Sequence, residues 1–291
     1  MEELGQILVG GLSMGCIYAL VALGFVLLVA AANIVNFAYG EWVVLGAYLG
    51  VTLTVTAGLP LWLGLLLTIP AAAALGLAFD LVVFRPLEDR HFLAIVIATI
   101  GIGIALQNAV TLIWGPYGKT MEPFFGSEPV EVAGMALLPH HLLVMAITVV
   151  LIAGFHMLLT RSTLGLRVQA VAQDREAARL MGVRVGHMQA LVACVSAALA
   201  GSAGFLVAPL FTVTAALGFS LMLKGFAATI IGGWGSMKGA VIGGVMLGVV
   251  ESLSAAYIST AYKDVISFGA LILVLLVAPR GLFGERIAVK V

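Results

Sequence analysis

The chain has 291 residues, of which 62% are hydrophobic and only 10% are charged, whereas soluble domains carry about 25% charged residues. Its 14 basic and 14 acidic side chains balance to a formal net charge of zero, which excludes the strongly basic footprint of a nucleic-acid-binding protein. Several apolar runs are long enough to cross a hydrocarbon layer of about 30 Å as helices. The composition therefore indicates an all-α polytopic membrane protein, with residues 1–291 forming a single integral membrane domain.

The apolar runs predict about eight to nine transmembrane helices, with one or more interrupted or re-entrant segments. A polar break containing Asn33 and Asn36 follows the first predicted span. The predicted spans are residues 7–32, 37–57, 61–84, 92–114, 142–160, 189–214, a glycine-rich pair within 219–257, and 265–278. We expect the pair to turn at Gly232-Gly233-Trp234-Gly235. Because half-helices resemble short spans in hydropathy, the glycine-rich stretches leave the count open.

Basic residues set the expected orientation, since Arg and Lys are retained on the cytoplasmic side of a membrane. They cluster at Arg85 and Arg90, in the polar stretch 161–187, and in a tail that contains Arg280, Arg286 and Lys290. We therefore expect the N-terminus outside and the C-terminus in the cytoplasm. Lys119 and Lys263 are then outside.

Polar residues within the predicted spans need an explanation, because an acidic group at the bilayer centre costs about 2.5 to 3.5 kcal/mol. Beside an interrupted helix, whose free backbone groups require a cavity or a protein interface, such residues can line a translocation path. We assign to this substrate pathway the residues Asn33, Asn36, Tyr39, Glu41, Gln107 and Asn108. The alternative places Glu41 and Glu251 in solvent near span ends, with the asparagines as helix caps. For Asp80 we expect the solvated position.

Glycines four residues apart, Gly46/Gly50, Gly239/Gly243 and Gly244/Gly248, predict close contacts between helices. Gly118-Lys119 resembles a phosphate-binding loop, but that loop needs a glycine five positions earlier, where this chain has Ile113. The histidines lack a carboxylate or cysteine at metal-ligand spacing, and no catalytic pair stands at helical spacing. We therefore expect no catalytic residue, no metal and no cofactor.

The stretch 161–187 is the longest polar interruption and holds five of the fourteen Lys and Arg residues. Asp174 is expected to cap a helix over residues 175–181, and Gly182 to end it in a left-handed conformation. Charge alone makes the stretch either a topological signal or a place where a partner acts on the protein.

Glu176-Ala177-Ala178, followed three residues later by Gly182, resembles the cytoplasmic EAA loop of ABC-importer permeases. In that loop a short helix docks into a groove of the ATPase. The family pattern continues with Ile-x-Leu-Pro, where residues 192–195 read Val-Ala-Cys-Val. The resemblance implies a coupling loop at 161–187 whose ATPase-coupling residues are Asp174, Arg175, Glu176, Ala177, Ala178, Met181 and Gly182.

Other segments resemble the LivH-type permease subunits of branched-chain amino acid ABC importers. The stretch from Asn36 to Glu41, reading NFAYGE, is similar to that family's NFAHGE, with Tyr39 where histidine is usual. Further similarities are Gly46-Ala47-Tyr48, Phe84-Arg85-Pro86-Leu87, Leu106-Gln107-Asn108, Gly232-Gly233-Trp234-Gly235-Ser236 and Tyr262-Lys263-Asp264. They extend over nearly the whole chain.

The resemblance implies a multi-pass permease subunit of the bacterial inner membrane that translocates branched-chain or similar small amino acids. Its expected partners are a second related permease, two ATPase subunits that hydrolyse ATP, a periplasmic solute-binding protein and the lipid bilayer, with no nucleic acid. The chain itself is then a transport subunit and not an enzyme. One alternative is the same architecture for urea or short amides. Another, from a different class, is a stand-alone secondary transporter driven by an ion gradient.

Overall fold

The computed structural model describes residues 2–32, 35–87, 90–126, 128–132 and 135–284, which form helices and one short hairpin. In chain order the helices are α1 Glu2–Ala32, α2 Tyr39–Val51, α3 Leu61–Phe79, α4 Arg85–Leu87, α5 Phe92–Trp114, α6 Pro139–Arg161, α7 Thr163–Gln173, α8 Arg175–Leu180, α9 Val185–Val207, α10 Leu217–Gly232, α11 Met237–Tyr257 and α12 Lys263–Val277. The antiparallel strands β1 Val130–Val132 and β2 Met135–Leu137 lie between α5 and α6.

Seven helices of the described chain are long and apolar enough to cross a membrane, and they include α1, α3, α5, α6, α9, α11 and α12. Two shorter helices lie among them. Helix α2 has 13 residues and continues as the π-helical turn Thr52–Thr56, and α10 has 16 residues. This arrangement confirms the predicted all-α polytopic class with interrupted segments.

Helix α9 departs most from its predicted bounds, since it begins at Val185 and ends at Val207 instead of covering 189–214. The chain leaves the helix because Val213 forms an antiparallel bridge with Lys119. The Lys119 amide donates to the Val213 carbonyl at 2.9 Å, and the Val213 amide donates back at 2.8 Å. The loop before α10 is therefore tied to the loop after α5.

Glycines set the distances between the central helices, as their spacing predicts. On α1, a Cβ at Gly15 would meet the backbone of α11 at Val245, and Gly248 of α11 faces Gly15 in turn. Helices α2 and α9 meet in the same way at Gly46 and Gly201. Backbones this close gain dispersion contacts that lipid cannot supply to helices in a membrane. Helices α1 and α9 are consequently the most deeply buried spans.

Asp80 is fully buried, so the prediction that it is solvated is wrong. It begins the π-helical turn Asp80–Phe84, which is closed by a hydrogen bond from the Arg85 amide to the Asp80 carbonyl. This i to i+5 closure places side chains five residues apart near each other, whereas in an α-helix they lie on different faces. Arg85 Nε consequently reaches Asp80 Oδ2 at 2.9 Å. The ion pair offsets the cost of burying the carboxylate.

A buried charge cluster joins α10 to α1, α11 and α12. Lys224 Nζ lies 2.6 Å from Glu251 Oε1 and 3.0 Å from Asp264 Oδ1. Tyr18 donates its hydroxyl to Glu251 Oε2 at 2.8 Å, and Lys263 Nζ lies 3.4 Å from Oε1. Of the two positions considered for Glu251, the structure shows the interior one. Within the cluster, the positive charges of Lys224 and Lys263 balance the negative charges of Glu251 and Asp264.

Glu251→Leu is expected to lower the free energy of unfolding by about 3 kcal/mol, because it leaves buried Lys224 with one of its two carboxylates. Adding Lys224→Met should recover part of that loss, since replacing a buried ion pair by apolar side chains is often neutral. Unfolding by sodium dodecyl sulfate in detergent measures the stability of Glu251→Leu, of Lys224→Met and of the double variant. A double variant as unstable as the sum of the two single variants would show that this pair contributes nothing through its charges.

Candidate functional site

Helix α2 begins in the interior of the bundle. Tyr39, its first residue, donates its hydroxyl to the Ser196 carbonyl at 3.3 Å, and Ser196 lies near the midpoint of α9. Just before it, Asn36 is fully buried, and its Oδ1 accepts from the Ala38 amide at 2.9 Å. Asn33 lies outside the described residues. The start of α2 is therefore buried at Asn36, Ala38 and Tyr39, whereas Phe37 between them is exposed.

The two ends of the Asn36 amide group differ in their contacts. Its oxygen is occupied by Ala38, but its Nδ2 is buried and has no hydrogen-bond partner among the described residues. The next residue, Phe37, donates its backbone amide to Thr99 Oγ1 of α5 at 3.3 Å. Thr99 was not foreseen from the sequence, because a threonine inside an apolar span gives no signal of its distant partner.

Tyr39 is fully buried and packs on three sides. Its ring lies edge-on to Phe25 of α1, with centroids 5.8 Å apart, and 5.5 Å from Trp42 of its own helix. The hydroxyl reaches α9 because Gly24 has no side chain, and a Cβ there would occupy the position of the hydroxyl. All of these contacts are within the protein core.

Glu41, in the first turn of α2, carries a further buried polar atom. Its side chain is 7% exposed, and Oε2 is buried without a hydrogen-bond partner in the described structure. Residues seven apart share a helix face, so Glu41 lies on the same side of α2 as Tyr48. The Tyr48 ring packs at 5.2 Å from Trp114 of α5. Glu41 therefore faces the α5 side of the bundle.

Gln107 and Asn108 of α5 are placed differently from each other. Gln107 Nε2 donates to the Ala215 carbonyl in the loop before α10, at 3.4 Å. Asn108 is exposed, and its Nδ2 donates to the Ile104 carbonyl of its own helix at 2.7 Å. Most of α5 around it is exposed and apolar, as Leu112 and Ile113 illustrate. The structure thus brings Gln107 to α10 and leaves Asn108 on an outer face.

Helices α2 and α10 meet at glycines near their first turns. A Cβ on Gly40 would collide with the Gly218 carbonyl, and one on Gly218 would collide with the Gly40 carbonyl. The backbone of each helix start therefore covers the other. Helices that begin within the membrane also occur at the substrate sites of many transporters.

The polar stretch before α9 contains two helices where the sequence predicts one. Helix α7 is capped by Ser162, whose Oγ accepts from the Gly165 amide at 2.9 Å. Helix α8 begins as predicted: Asp174 Oδ1 accepts from the amides of Glu176 and Ala177, each at 3.0 Å. It ends at Leu180, one residue short of the prediction, and Gly182 adopts the expected positive φ of 83°.

The side chains of α8 divide into an inner and an outer set. Ala178 is buried in the core, and partly buried Arg175 donates to Gln189 of α9. Glu176 and Ala177 are exposed, and Glu176 lies 3.6 Å from Arg179 in a surface ion pair. Beyond them Leu180 and Met181 are 87% and 85% exposed. The tip of the loop therefore presents two large apolar side chains to the outside.

An all-α bundle in which seven helices of the described chain are long and apolar enough to cross a membrane defines a polytopic membrane protein. Residues 7–275 match the family model described as "Branched-chain amino acid transport system / permease component". The chain belongs to this family, as the sequence resemblance predicts.

Individual relatives cover nearly the full chain. It is 33% identical to the high-affinity branched-chain amino acid transport system permease protein LivH of Escherichia coli strain K12, over 98% of this chain and 97% of that protein. It is 34% identical to BraD of Pseudomonas aeruginosa over the same shares, and 27% identical to LivM of Escherichia coli strain K12 over 91% and 67%. PsaBC from Streptococcus pneumoniae in complex with Fab has a similar fold, with a TM-score of 0.51, 13% identity, and coverage of 95% and 92%.

Gly40→Val is expected to destabilise the chain by about 2 kcal/mol or more, because the new side chain must displace the first turn of α10. The matched control is Gly101→Val on α5, where a Cβ has no neighbour within 4 Å. The control should stay within about 0.5 kcal/mol of the parent. Unfolding in sodium dodecyl sulfate measures both variants, and equal effects would contradict the close contact of α2 with α10.

Proposed function

We propose that this chain is the permease subunit of an ATP-driven importer for branched-chain or similar small amino acids in the bacterial cytoplasmic membrane. Supporting this, the family match covers residues 7–275, and relatives named for branched-chain amino acid transport align over almost all of both chains. A second related permease, two ATPase subunits and a periplasmic binding protein complete the proposed assembly.

The proposed orientation has the N-terminus outside and the C-terminus in the cytoplasm. Arg85 Nη2 donates to the Gly186 carbonyl at 3.4 Å, so the end of α3 and the start of α9 share one end of the bundle. Lys238, at the start of α11, lines a cavity together with Leu159 near the end of α6. The residues after α12 pack against the end of α10. Basic residues thus gather at one end, which supports a cytoplasmic assignment.

The proposed pathway runs along the interrupted segment on the α5 side of α2. Asn36 and Glu41 supply buried polar atoms that have no hydrogen-bond partner among the described residues, so we assign them direct contact with the substrate. Gln107 holds the loop before α10, and Tyr39 fixes the start of α2. The second permease covers the outer face of α5, because exposed Asn108 would otherwise place an amide group in lipid.

Helix α8 is proposed to receive the movement of the ATPases, within a coupling loop at 161–187. Exposed Leu180 and Met181 suit an apolar groove on a partner, whereas buried Ala178 and capping Asp174 hold the helix in shape. Nucleotide-driven closure of the ATPases then shifts the equilibrium between outward and inward access. The shift is limited to the difference in free energy with which the ATPases bind the two states.

Reconstitution of the full assembly in proteoliposomes tests the function. With the binding protein outside and ATP inside, labelled leucine, isoleucine or valine should accumulate, and removal of ATP should abolish the accumulation. Urea and short amides are the competing substrates to add in parallel. Accumulation without the ATPases, driven by an ion gradient, would contradict the proposal in favour of a secondary transporter.

Crosslinking tests the role of α8. After replacement of Cys16 and Cys194, Met181→Cys should form a disulfide with a cysteine at the groove of the ATPase, with a yield that changes between nucleotide-free and ATP-bound states. The matched control is Phe125→Cys, which is exposed at the other end of the bundle. If Met181→Cys forms no crosslink in any nucleotide state, the result contradicts this docking site.

A further inference from the structure

A cavity of about 480 Å³ lies beside the tip of the proposed coupling loop. Its walls come from α7, from the turn after α8 and from the start of α9. They consist of Arg167, Met181, Gly182, Val183, Arg184, His187 and Met188. Three of these seven residues have basic side chains, all three of them exposed, and none of the seven is acidic. We call this space the basic cavity.

The basic side chains of the cavity are not paired with an anion of this chain. Within the described ranges, Arg167, Arg184 and His187 form no ion pair and no side-chain hydrogen bond. The stretch 161–187 contains only two acidic residues, and both are engaged on α8. Asp174 caps that helix, and Glu176 lies in its surface ion pair. The positive charge of the basic cavity is therefore available to an anion from outside the chain.

The start of α9 has the same polarity as the cavity beside it. The amides of Val185 and Gly186 donate no hydrogen bond among the described residues, and Arg184, which precedes the helix, supplies no side-chain cap. A Cβ at Gly186 would have no neighbour within 4 Å, so this turn is open to the outside. Arg184 and His187, which line the cavity, flank it. Free amides and the helix dipole favour an anion at a helix N-terminus.

The apolar tip next to the basic cavity indicates the kind of partner. Met181 belongs both to the cavity wall and to the exposed tip, and Leu180 stands beside it. A free phosphate leaves these apolar side chains in water, whereas a folded partner that covers the tip also closes the cavity. Such a partner has to supply an anion, because an unpaired buried charge is costly. A carboxylate suits this place, since it accepts two parallel hydrogen bonds from one guanidinium group.

We propose that the basic cavity receives an acidic side chain, Asp or Glu, from the ATPase subunit whose groove holds the tip of α8. The inference rests on the proposed function, because it requires that ATPase. Arg167 and Arg184 bind the carboxylate, and the first turn of α9 borders it. The ATPase is then joined directly to α9 as well as to α8. Helix α9 meets α2 at Gly46 and Gly201, so this contact leads towards the proposed pathway.

The first test measures the dissociation constant of the ATPase from the paired permease subunits in phosphatidylcholine nanodiscs. Arg167→Gln and Arg184→Gln should each raise it about tenfold, because each removes a hydrogen bond between charged groups. The matched control is Arg90→Gln, which removes the same charge from an exposed arginine outside the coupling loop. Its dissociation constant should stay within about twofold of the parent value. All three side chains are exposed, so the variants should unfold in sodium dodecyl sulfate like the parent.

A carbodiimide then tests whether the anion is a carboxylate. The reagent condenses a carboxylate with a neighbouring lysine amine into an amide, and the water removed in that step converts the carbodiimide to a urea. Arg184→Lys should therefore crosslink to an Asp or Glu of the ATPase above the level that the lysines of the parent give, and mass spectrometry locates that residue. The control is Arg90→Lys, which should add no crosslink.

The outcomes separate this inference from the proposed function. Parent subunits that do not bind the ATPase contradict the proposed function and the inference that rests on it. If the parent binds and Arg167→Gln and Arg184→Gln bind equally well, only the role of the basic cavity is overturned. Weaker binding without the Arg184→Lys crosslink, or only in nanodiscs that contain phosphatidylglycerol, overturns the acidic side chain in favour of a phosphate, free or in a lipid headgroup. Weaker binding in phosphatidylcholine together with the crosslink supports the proposal.

Discussion

The start of α2 inside the bundle is the constraint on which the other contacts depend. An α-helix leaves its first amides without partners, and lipid offers none. Here Asn36 Oδ1 accepts from the Ala38 amide, and Thr99 Oγ1 accepts from the Phe37 amide. The backbone of Gly218 covers the first turn at Gly40. Helices α5 and α10 must therefore lie where they do, because an interrupted helix at this depth is stable only when neighbouring helices satisfy or cover its backbone.

Glycine backbones and ion pairs both join the helices. Gly46 of α2 meets Gly201 of α9, and Lys224 joins α10 to Glu251 of α11. The buried charges of Lys224 and Glu251 balance each other, which offsets part of the cost of their burial. The short helix α10 shows both modes, since Gly218 fixes its start and Lys224 fixes it to the bundle.

Sequence alone predicts the structural features that depend on residues close to each other along the chain. The span at 92–114 is recovered in full, and the cap at Asp174 and the positive φ at Gly182 are local features that follow from residue type. Contacts between distant positions leave no such pattern, so the pairing of Lys224 with Glu251 and of Tyr39 with Ser196 could not be predicted. Asp80 was misplaced for a different reason: its partner is five residues away, which only a π-helical turn brings within reach.

The surroundings of Tyr39 explain how its large side chain fits in the core. The hydroxyl occupies space that Gly24 leaves open and binds the Ser196 carbonyl, while Ser196 Oγ donates to the Gly24 carbonyl at 2.6 Å. The contacts among Gly24, Tyr39 and Ser196 thus join α1, α2 and α9. A hydroxyl already engaged in the core is poorly placed to bind a substrate. Among the described residues of this segment, Asn36 Nδ2 and Glu41 Oε2 have no hydrogen-bond partner, and the role that we propose for Tyr39 is to fix the start of α2 beside them.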